Sequence, residues 1–302
     1  MGAAVFNKES QSGQELTGIA YILYTQLQKK EKRKEGKNMA CRKACRSIRG
    51  PEEGMSPAGK TEKAEALTLR FGVDTAGKAD EVLQNNLTEF EWVARNKLYP
   101  DFWGRNLVGE NCLTEEEIQF LHRQGCKIAA IYPASAPKET EKQGVQTAKE
   151  AGAAALALGI PAGTAIFFEI GEGEKVTSDF MKGFAKTLLS AKWTPGFKVS
   201  TDAKFMFDRE YSRGMQAERE PFAKCLIWAV TPSLPEFERT TTTHLIYPDA
   251  WLPYAPSGIT RREIAIWQYG KNCHPIESDA GKEMTFNVDL VRDERVILEK
   301  MF

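Results

Sequence analysis

The chain has 302 residues and no net charge, and 42% of its residues are hydrophobic, 10% aromatic and 27% charged. Such a chain can form one large core plus an appendage, since a single α/β domain can reach about 250 residues. Residues 1–65 carry 13 Lys and Arg against 8 Asp and Glu, whereas residues 66–302 carry 28 against 33. The body of the chain is therefore not basic, which argues against nucleic acid as a partner.

The first 65 residues differ in character from the rest. Their apolar run at 18–24 is too short to cross a bilayer as a helix and lacks the flanks of a secretory signal, so we expect no membrane span. This leaves the cytoplasm or a non-classical release route as the location. The charge run at 29–37 predicts a solvated helix or disorder. An alternative is that the codons for residues 34–38 resemble a ribosome-binding site and that translation starts at Met39. We divide the chain into a basic extension, 1–65, and one domain, 66–302.

Apolar runs alternate with helical patterns through the first half of this domain. A strand predicted at about 68–74 is followed by helical sequence at about 78–97 and an apolar run at about 102–108. Thr114 and the three glutamates after it predict the start of a helix that ends at Gly125. A buried strand at 126–132 leads to a loop at 133–137, and an Ala-rich helix is predicted at 144–158.

The same alternation continues in the second half. A strand ends at Glu169, a helix is predicted at about 177–190, and further strands are predicted at 196–201, 223–230, 264–269 and 285–290. Eight strands with helices between the early ones are typical of parallel strands joined by crossover helices. Residues 231–262 hold five prolines and predict a long irregular loop of the kind that often carries function.

The cysteines and histidines show no metal-binding pattern. The six cysteines include no Cys-x-x-Cys pair, and the three histidines lie far apart in the sequence. We expect reduced, buried thiols, no metal site and no cofactor.

Two of the predicted strands end on an acidic residue, Asp74 and Glu169. Parallel α/β folds build their active sites at the carboxyl ends of strands, and the alternation of side chains permits both acids to point into a barrel. Glycoside hydrolysis requires one carboxylic acid as proton donor and a second carboxylate. We expect Glu169 to be the donor, because a carboxyl group held among Ile166, Phe167 and Phe168 would be desolvated and favour its neutral form.

Several segments of the domain occur in a characteristic order. In chain order they are Phe71-Gly-Val-Asp74, Trp103-Gly-Arg-Asn106, Leu113-Thr-Glu-Glu-Glu117 with Gly125-Cys-Lys-Ile-Ala-Ala-Ile-Tyr132, residues 151–169, Trp267-Gln-Tyr269 and Asn287-Val-Asp289. Over about residues 68–292 the set resembles the glycoside-hydrolase-like domain of unknown function that is related to family 25 glycoside hydrolases, the Chalaropsis-type lysozymes.

The resemblance implies a single (β/α)8 barrel of the TIM type, with acids at the ends of the first, fourth and last strands lining a saccharide groove. Asp74, Glu169 and Asp289 match the three catalytic positions. The lysozymes of that family end the fourth strand with Asp-x-Glu, whereas this chain reads Glu169-Ile170-Gly171. The second acid of that pair is therefore missing from its expected position.

Six further residues are candidates for contacting the saccharide. They are Arg105, Tyr132, Trp228, Trp267, Gln268 and Tyr269. Aromatic faces stack on sugar rings and an amide hydrogen-bonds to hydroxyl groups, but aromatic side chains also fill barrels. The alternative for Arg105 is a structural ion pair with Asp74 or Glu169.

We therefore expect a barrel that binds or cleaves a peptidoglycan-type glycan through carboxylates at the strand ends. The alternative is a catalytically inactive barrel that binds carbohydrate or cell wall, which the altered fourth-strand motif favours. Action on a phosphorylated metabolite is a weaker interpretation, since no Gly-rich phosphate cradle follows the last strands.

Overall fold

The computed structural model describes residues 69–95, 99–133, 138–234, 239–240, 250–275 and 285–302. The predicted extension, 1–65, lies outside these residues, as do parts of the loops predicted at 133–137 and 231–262. None of the described helices is both long and apolar enough to cross a membrane.

Six parallel strands form most of a barrel. They are β1 (Arg70–Asp74), β2 (Phe102–Asn106), β3 (Lys127–Pro133), β4 (Ala165–Ile170), β5 (Thr194–Val199) and β6 (Leu226–Val230). Each strand pairs with the next one in the chain, so all six carboxyl ends lie at one end of the barrel.

Helices occupy the connections between these strands and follow the last strand. They are α1 (Glu89–Arg95), α2 (Glu115–Arg123), α3 (Glu141–Ala157), α4 (Ser178–Ser190), α5 (Met206–Ala217), α6 (Arg219–Ala223) and α7 (Glu294–Lys300). The predicted start of α2 is confirmed, because the Thr114 hydroxyl accepts a hydrogen bond from the backbone N–H of Glu117 at 3.3 Å. The helix predicted at 78–97 is shorter than expected, since a turn in which Asn86 has a φ of 62° precedes it.

The last two strands close the barrel. β8 (Ile264–Pro275) runs parallel to β6, and β9 (Phe286–Val291) runs antiparallel to both β8 and β1. A two-residue strand, β7 (Arg239–Thr240), pairs with the far end of β8. The predicted closed eight-stranded barrel is confirmed, but its final strand is reversed. The connection 276–285 is shorter than the crossover of about a dozen residues or more that a parallel strand requires.

The two faces of the strands build two separate cores. Phe102, Ile131, Phe167 and Trp228 belong to the cluster inside the barrel, whereas a larger cluster fills the space between the strands and the helices. Gly104 leaves the space that the Trp228 ring and the Asp74 side chain occupy within the barrel. A Cβ atom at this position would lie too close to both, at 2.8 Å from Trp228 Cη2 and 2.7 Å from the Asp74 Cβ. The polar end of the barrel lies above this inner core.

Candidate functional site

Asp74 and Glu169 converge on one lysine at the carboxyl end of the barrel. The Lys198 Nζ lies 2.7 Å from Asp74 Oδ1 and 3.1 Å from Glu169 Oε1. Lys198 is 5% exposed and stands beside Glu169 on the neighbouring strand. Its ammonium group also lies 5.1 Å from the centre of the Trp228 ring. A single buried cation therefore links the two predicted acids.

Asp289 lies next to Asp74 because β9 is antiparallel to β1. The register pairs Asp74 with Asn287 and Gly72 with Asp289, which puts Asp289 one level deeper in the barrel. Asn287 Nδ2 donates to Asp74 Oδ1 at 2.8 Å, and Trp228 Nε1 donates to Asp289 Oδ1 at 2.8 Å. The predicted acids of the first, fourth and last strands thus meet in one cluster.

The electrostatics of this cluster favour a proton on Asp289 and a charge on Lys198. Burial raises the pKa of Asp289 well above its ordinary value, and the neighbouring Asp74 side chain raises it further. Lys198 and Trp228 act in the lowering direction on the pKa of Asp289. Burial lowers the pKa of Lys198, but Asp74, Glu169 and Asp289 together raise it above its ordinary value. The site therefore combines a carboxyl group that retains its proton with carboxylates held beside an ammonium.

The predicted surroundings of Glu169 are wrong. Its side chain is 35% exposed and forms an ion pair with Lys198. Phe167 points down into the barrel toward Trp228, and Phe168 packs on the opposite face against Phe180. Phe167 lies deeper than Glu169 on the same face of β4, and Phe168 lies on the other face, so these rings do not enclose the partly exposed carboxylate at the strand end.

Arg105 points away from the barrel interior, and its predicted pairing with Asp74 or Glu169 is wrong. Its Nε lies 2.7 Å from Glu117 Oε1, and both side chains are fully buried. Arg105 also donates to the backbone oxygens of Thr75 and Asn111. The guanidinium ties β2 to α2 and to the loop after β1.

The predicted aromatic residues divide between the two faces of the strands. Tyr132 donates its hydroxyl proton to Glu150 of α3 at 3.4 Å, and Trp267 Nε1 donates to the Thr231 carbonyl at 2.9 Å. Tyr269 is fully buried in the outer core with Trp267. These three side chains contribute to packing outside the barrel.

Trp228 and Gln268, in contrast, face the cluster of acids. Trp228 is fully buried beneath Lys198, and Gln268 is 2% exposed and pairs in register with Asp289. Both lie below the carboxylates, where they form the floor of the site.

Sequence reasoning missed Lys198 and Asn287. Lys198 stands between Phe197 and Val199 in β5, and a charge within an otherwise buried strand is a signal that such a residue has a specific partner. Asn287 gives no comparable signal, because its contact with Asp74 depends on the direction of β9.

An open cavity of about 190 Å³ lies at the same end of the barrel. It is bordered by residues that follow β4, β5 and β6, by a residue of β8 and by the long loop. Its lining includes Glu172, Lys204, Phe205, Thr231, Tyr254 and Lys271. Tyr254 is 58% exposed, and its backbone oxygen accepts a hydrogen bond from Thr201 at 2.6 Å. Part of the predicted long loop therefore borders the barrel mouth.

The described residues hold no group of three or more His, Cys, Asp or Glu side chains arranged to bind a metal ion. Four of the six cysteines lie in the described part of the chain, and all four are free: Cys112, Cys126, Cys225 and Cys273.

Barrels carry their active sites at the carboxyl ends of their strands, and glycoside hydrolases act through pairs of carboxylates, so the fold and the cluster agree with a glycoside-hydrolase-like barrel. Residues 100–290 match the model of the family described as "Rv2525c-like, glycoside hydrolase-like domain". The chain belongs to this family, which confirms the resemblance identified in its sequence. No curated protein sequence matches the chain.

The chain is similar to several solved structures. An uncharacterized protein of B. stearothermophilus is 24% identical, with a TM-score of 0.62 over 77% of this chain and 100% of the other. The Tat-secreted protein Rv2525c of Mycobacterium tuberculosis, in complex with L-tartrate, is 12% identical, with a TM-score of 0.45 over 76% and 98% of the two chains. A family GH25 lysozyme from Aspergillus fumigatus is 14% identical, with a TM-score of 0.43 over 77% and 98%.

Proposed function

We propose that this protein is a glycoside hydrolase that cleaves a peptidoglycan-type glycan at the carboxyl end of its barrel. The observation that carries the proposal is the bridge from Lys198 to Asp74 and Glu169, at 2.7 and 3.1 Å. One nitrogen contacts both acids, so Asp74 Oδ1 and Glu169 Oε1 lie at most about 6 Å apart.

This spacing suits glycoside hydrolysis with retention of configuration. Retaining enzymes separate their two carboxyl groups by about 5–5.5 Å, whereas inverting enzymes leave about 6.5–9.5 Å for a water molecule. Asp74 and Glu169 are the proposed catalytic pair, and Asp289 supports Asp74 from below. Glu169 is the more exposed of the two acids, at 35% of its side chain against 7% for Asp74.

The mouth of the barrel provides surfaces for a sugar polymer. Tyr254 and Phe205 border the cavity at the carboxyl end of the barrel, and aromatic faces of this kind pack against sugar rings. Among the residues proposed from sequence, Trp228 and Gln268 would shape the floor beneath the reacting sugar. Arg105, Tyr132, Trp267 and Tyr269 would act only by supporting the strands.

The test is the release of reducing ends from purified bacterial cell walls by the full-length protein and by Asp74→Asn and Glu169→Gln variants. We expect cleavage by the wild type and a loss of about 10²–10⁴-fold in each variant, since each removes one carboxylate of the pair. Glu220→Gln is the matched control, because that side chain is 69% exposed on α6.

Wall binding is measured in the same samples by co-sedimentation. Saturable binding without release of reducing ends would favour the inactive, carbohydrate-binding alternative. Neither binding nor release would contradict a wall glycan as the substrate.

A further inference from the structure

Asp74 and Asp289 each have one carboxylate oxygen that is well supplied with donors and one that is not. Asp74 Oδ1 accepts from Lys198 and Asn287, and Asp289 Oδ1 accepts from Trp228. The Oδ2 atoms of both residues are buried and receive no hydrogen bond from the part of the chain that the structure describes. Buried acceptors of this kind normally have a donor, so we expect a proton that could serve the two Oδ2 atoms.

The two carboxyl groups are neighbours on adjacent strands, because Asp289 pairs with Gly72, two residues from Asp74 on the same inner face of the sheet. Carboxylates in such contact cannot both be ionised at low cost, and a single shared proton converts their repulsion into a hydrogen bond. A proton held between the two Oδ2 atoms would supply both of them.

The charges around the pair agree with one bound proton. The titratable groups facing it are Glu169 from β4 and Lys198 from β5, and its polar neutral neighbours are Trp228, Gln268 and Asn287. With all three acids ionised, the cluster would carry two net negative charges in a largely buried site. One proton reduces this to a single negative charge, which remains available to stabilise a cationic sugar transition state.

We propose that Asp74 and Asp289 share one proton and that this pair, rather than Glu169, is the proton donor of the site, while Lys198 positions Glu169 as the nucleophile. The assignment rests on the proposed glycosidase function. Asp289 is fully buried and Asp74 is 5% exposed. Asp74 is therefore the catalytic residue, and Asp289 is a positioning residue that acts through it.

The chemical steps balance with water as the only co-reactant. The proposed first step begins with a turn of the Asp74 carboxyl group that brings its protonated oxygen from the buried side to the barrel mouth. Asp74 then transfers the shared proton to the glycosidic oxygen, the bond from the sugar C1 to that oxygen breaks with its electron pair going to oxygen, and Glu169 forms a bond to C1. In the second step Asp74 takes a proton from water, the resulting hydroxide bonds to C1, and Glu169 leaves as a carboxylate. The Asp74–Asp289 pair recovers its proton and the cycle closes.

The first test observes the proton without requiring activity. Infrared spectra of the full-length protein at pH 7, with and without ¹³C-labelled aspartate, distinguish a protonated aspartic acid from protonated glutamates such as Glu89. We expect a label-sensitive carboxylic acid band in the wild type and in Glu89→Gln, and its loss in Asp289→Asn and Asp74→Asn. Absence of the band from the wild type, or its persistence in both Asp variants, would overturn the shared proton.

The second test compares good and poor leaving groups. With aryl glycosides of the sugar released in the wall assay, Asp289→Asn should lower kcat by about 10²-fold or more for a phenol leaving group, since that group needs the acid. It should lower kcat far less for 2,4-dinitrophenol, which leaves without protonation. An equal loss for both substrates would refute the donor role of the pair.

Lys198 is tested by substitution with and without retention of its charge. Lys198→Met should shift the pH–rate profile and abolish nucleophilic attack by Glu169, whereas Lys198→Arg should restore part of the rate. Similar rates for the two variants would contradict the role assigned to the ammonium. Failure of the wall assay would refute cleavage of a wall glycan, but the infrared band would still decide whether the proton is shared.

Discussion

At the scale of single residues, two buried cations have separate duties in this barrel. Lys198 faces the interior and holds the acids of the site, whereas Arg105 faces outward and neutralises Glu117. Both pairs are buried, but only the first opens toward the barrel mouth through Glu169. The chemistry of the site therefore depends on which face of its strand a cation occupies.

The outward role of Arg105 predicts a loss of stability when either partner is removed. Arg105→Met or Glu117→Leu alone should lower the free energy of unfolding by about 3–5 kcal/mol, because each leaves a buried, uncompensated charge. The double variant should lose less than the sum of the two single variants. Urea denaturation of all four proteins measures this coupling, and additive losses would show that the pair is not a unit.

At the scale of elements, the reversal of β9 creates the proposed proton-sharing pair. Antiparallel pairing sets Asn287 opposite Asp74 and leaves Asp289 next to Asp74 on the same inner face of the sheet. The helices have their own point of close contact, where α3 and α4 approach through Gly144 and Gly183. A Cβ atom at Gly144 would lie 2.1 Å from the Phe180 carbonyl oxygen, and one at Gly183 would lie 2.2 Å from that of Glu141.

This contact predicts opposite effects for two glycines of α3. Gly144→Ala should destabilise the protein by about 1–3 kcal/mol, because backbone atoms of α4 would have to move away. Gly152→Ala should be neutral or stabilising by up to about 1 kcal/mol, since its nearest neighbour, Trp193 Nε1, would lie at an ordinary 3.4 Å. Urea midpoints compare the two variants. Equal destabilisation by both would contradict the backbone contact.

At the scale of the whole molecule, buried acids give the fold a characteristic pH dependence. Burial raises the pKa of Glu89 from 4.5 to about 7, and the charges of Glu81 and Glu117 add to this against the lowering effects of Thr75 and Arg105. Burial also raises the pKa values of Glu117, Asp101 and Asp289. The folded protein thus binds protons more tightly at these groups than the unfolded chain does.

The stability of the fold should therefore fall as the pH rises from 4.5 to about 7. Glu89→Gln mimics the protonated form, so it should be more stable than the wild type by about 2–3 kcal/mol at pH 8 and little different at pH 4.5. Urea denaturation across this range measures the effect, with the exposed Glu115→Gln as control. A wild-type stability that increases from pH 4.5 to 7 would contradict the prediction.

The sequence by itself determined the alternation of strands and helices and the positions of Asp74 and Glu169 near strand ends, because apolar periodicity and helix caps are local signals. Resemblance to a known family added Asp289. Local pattern could not decide which strand face enters the barrel, since both faces are buried and both are apolar. For this reason Arg105, Tyr132, Trp267 and Tyr269 were predicted for a site that they do not face. Only the closed tertiary structure decided the direction of β9 and the contact between Lys198 and Asp74. These two residues are 124 positions apart in the sequence, and closure of the barrel brings them together.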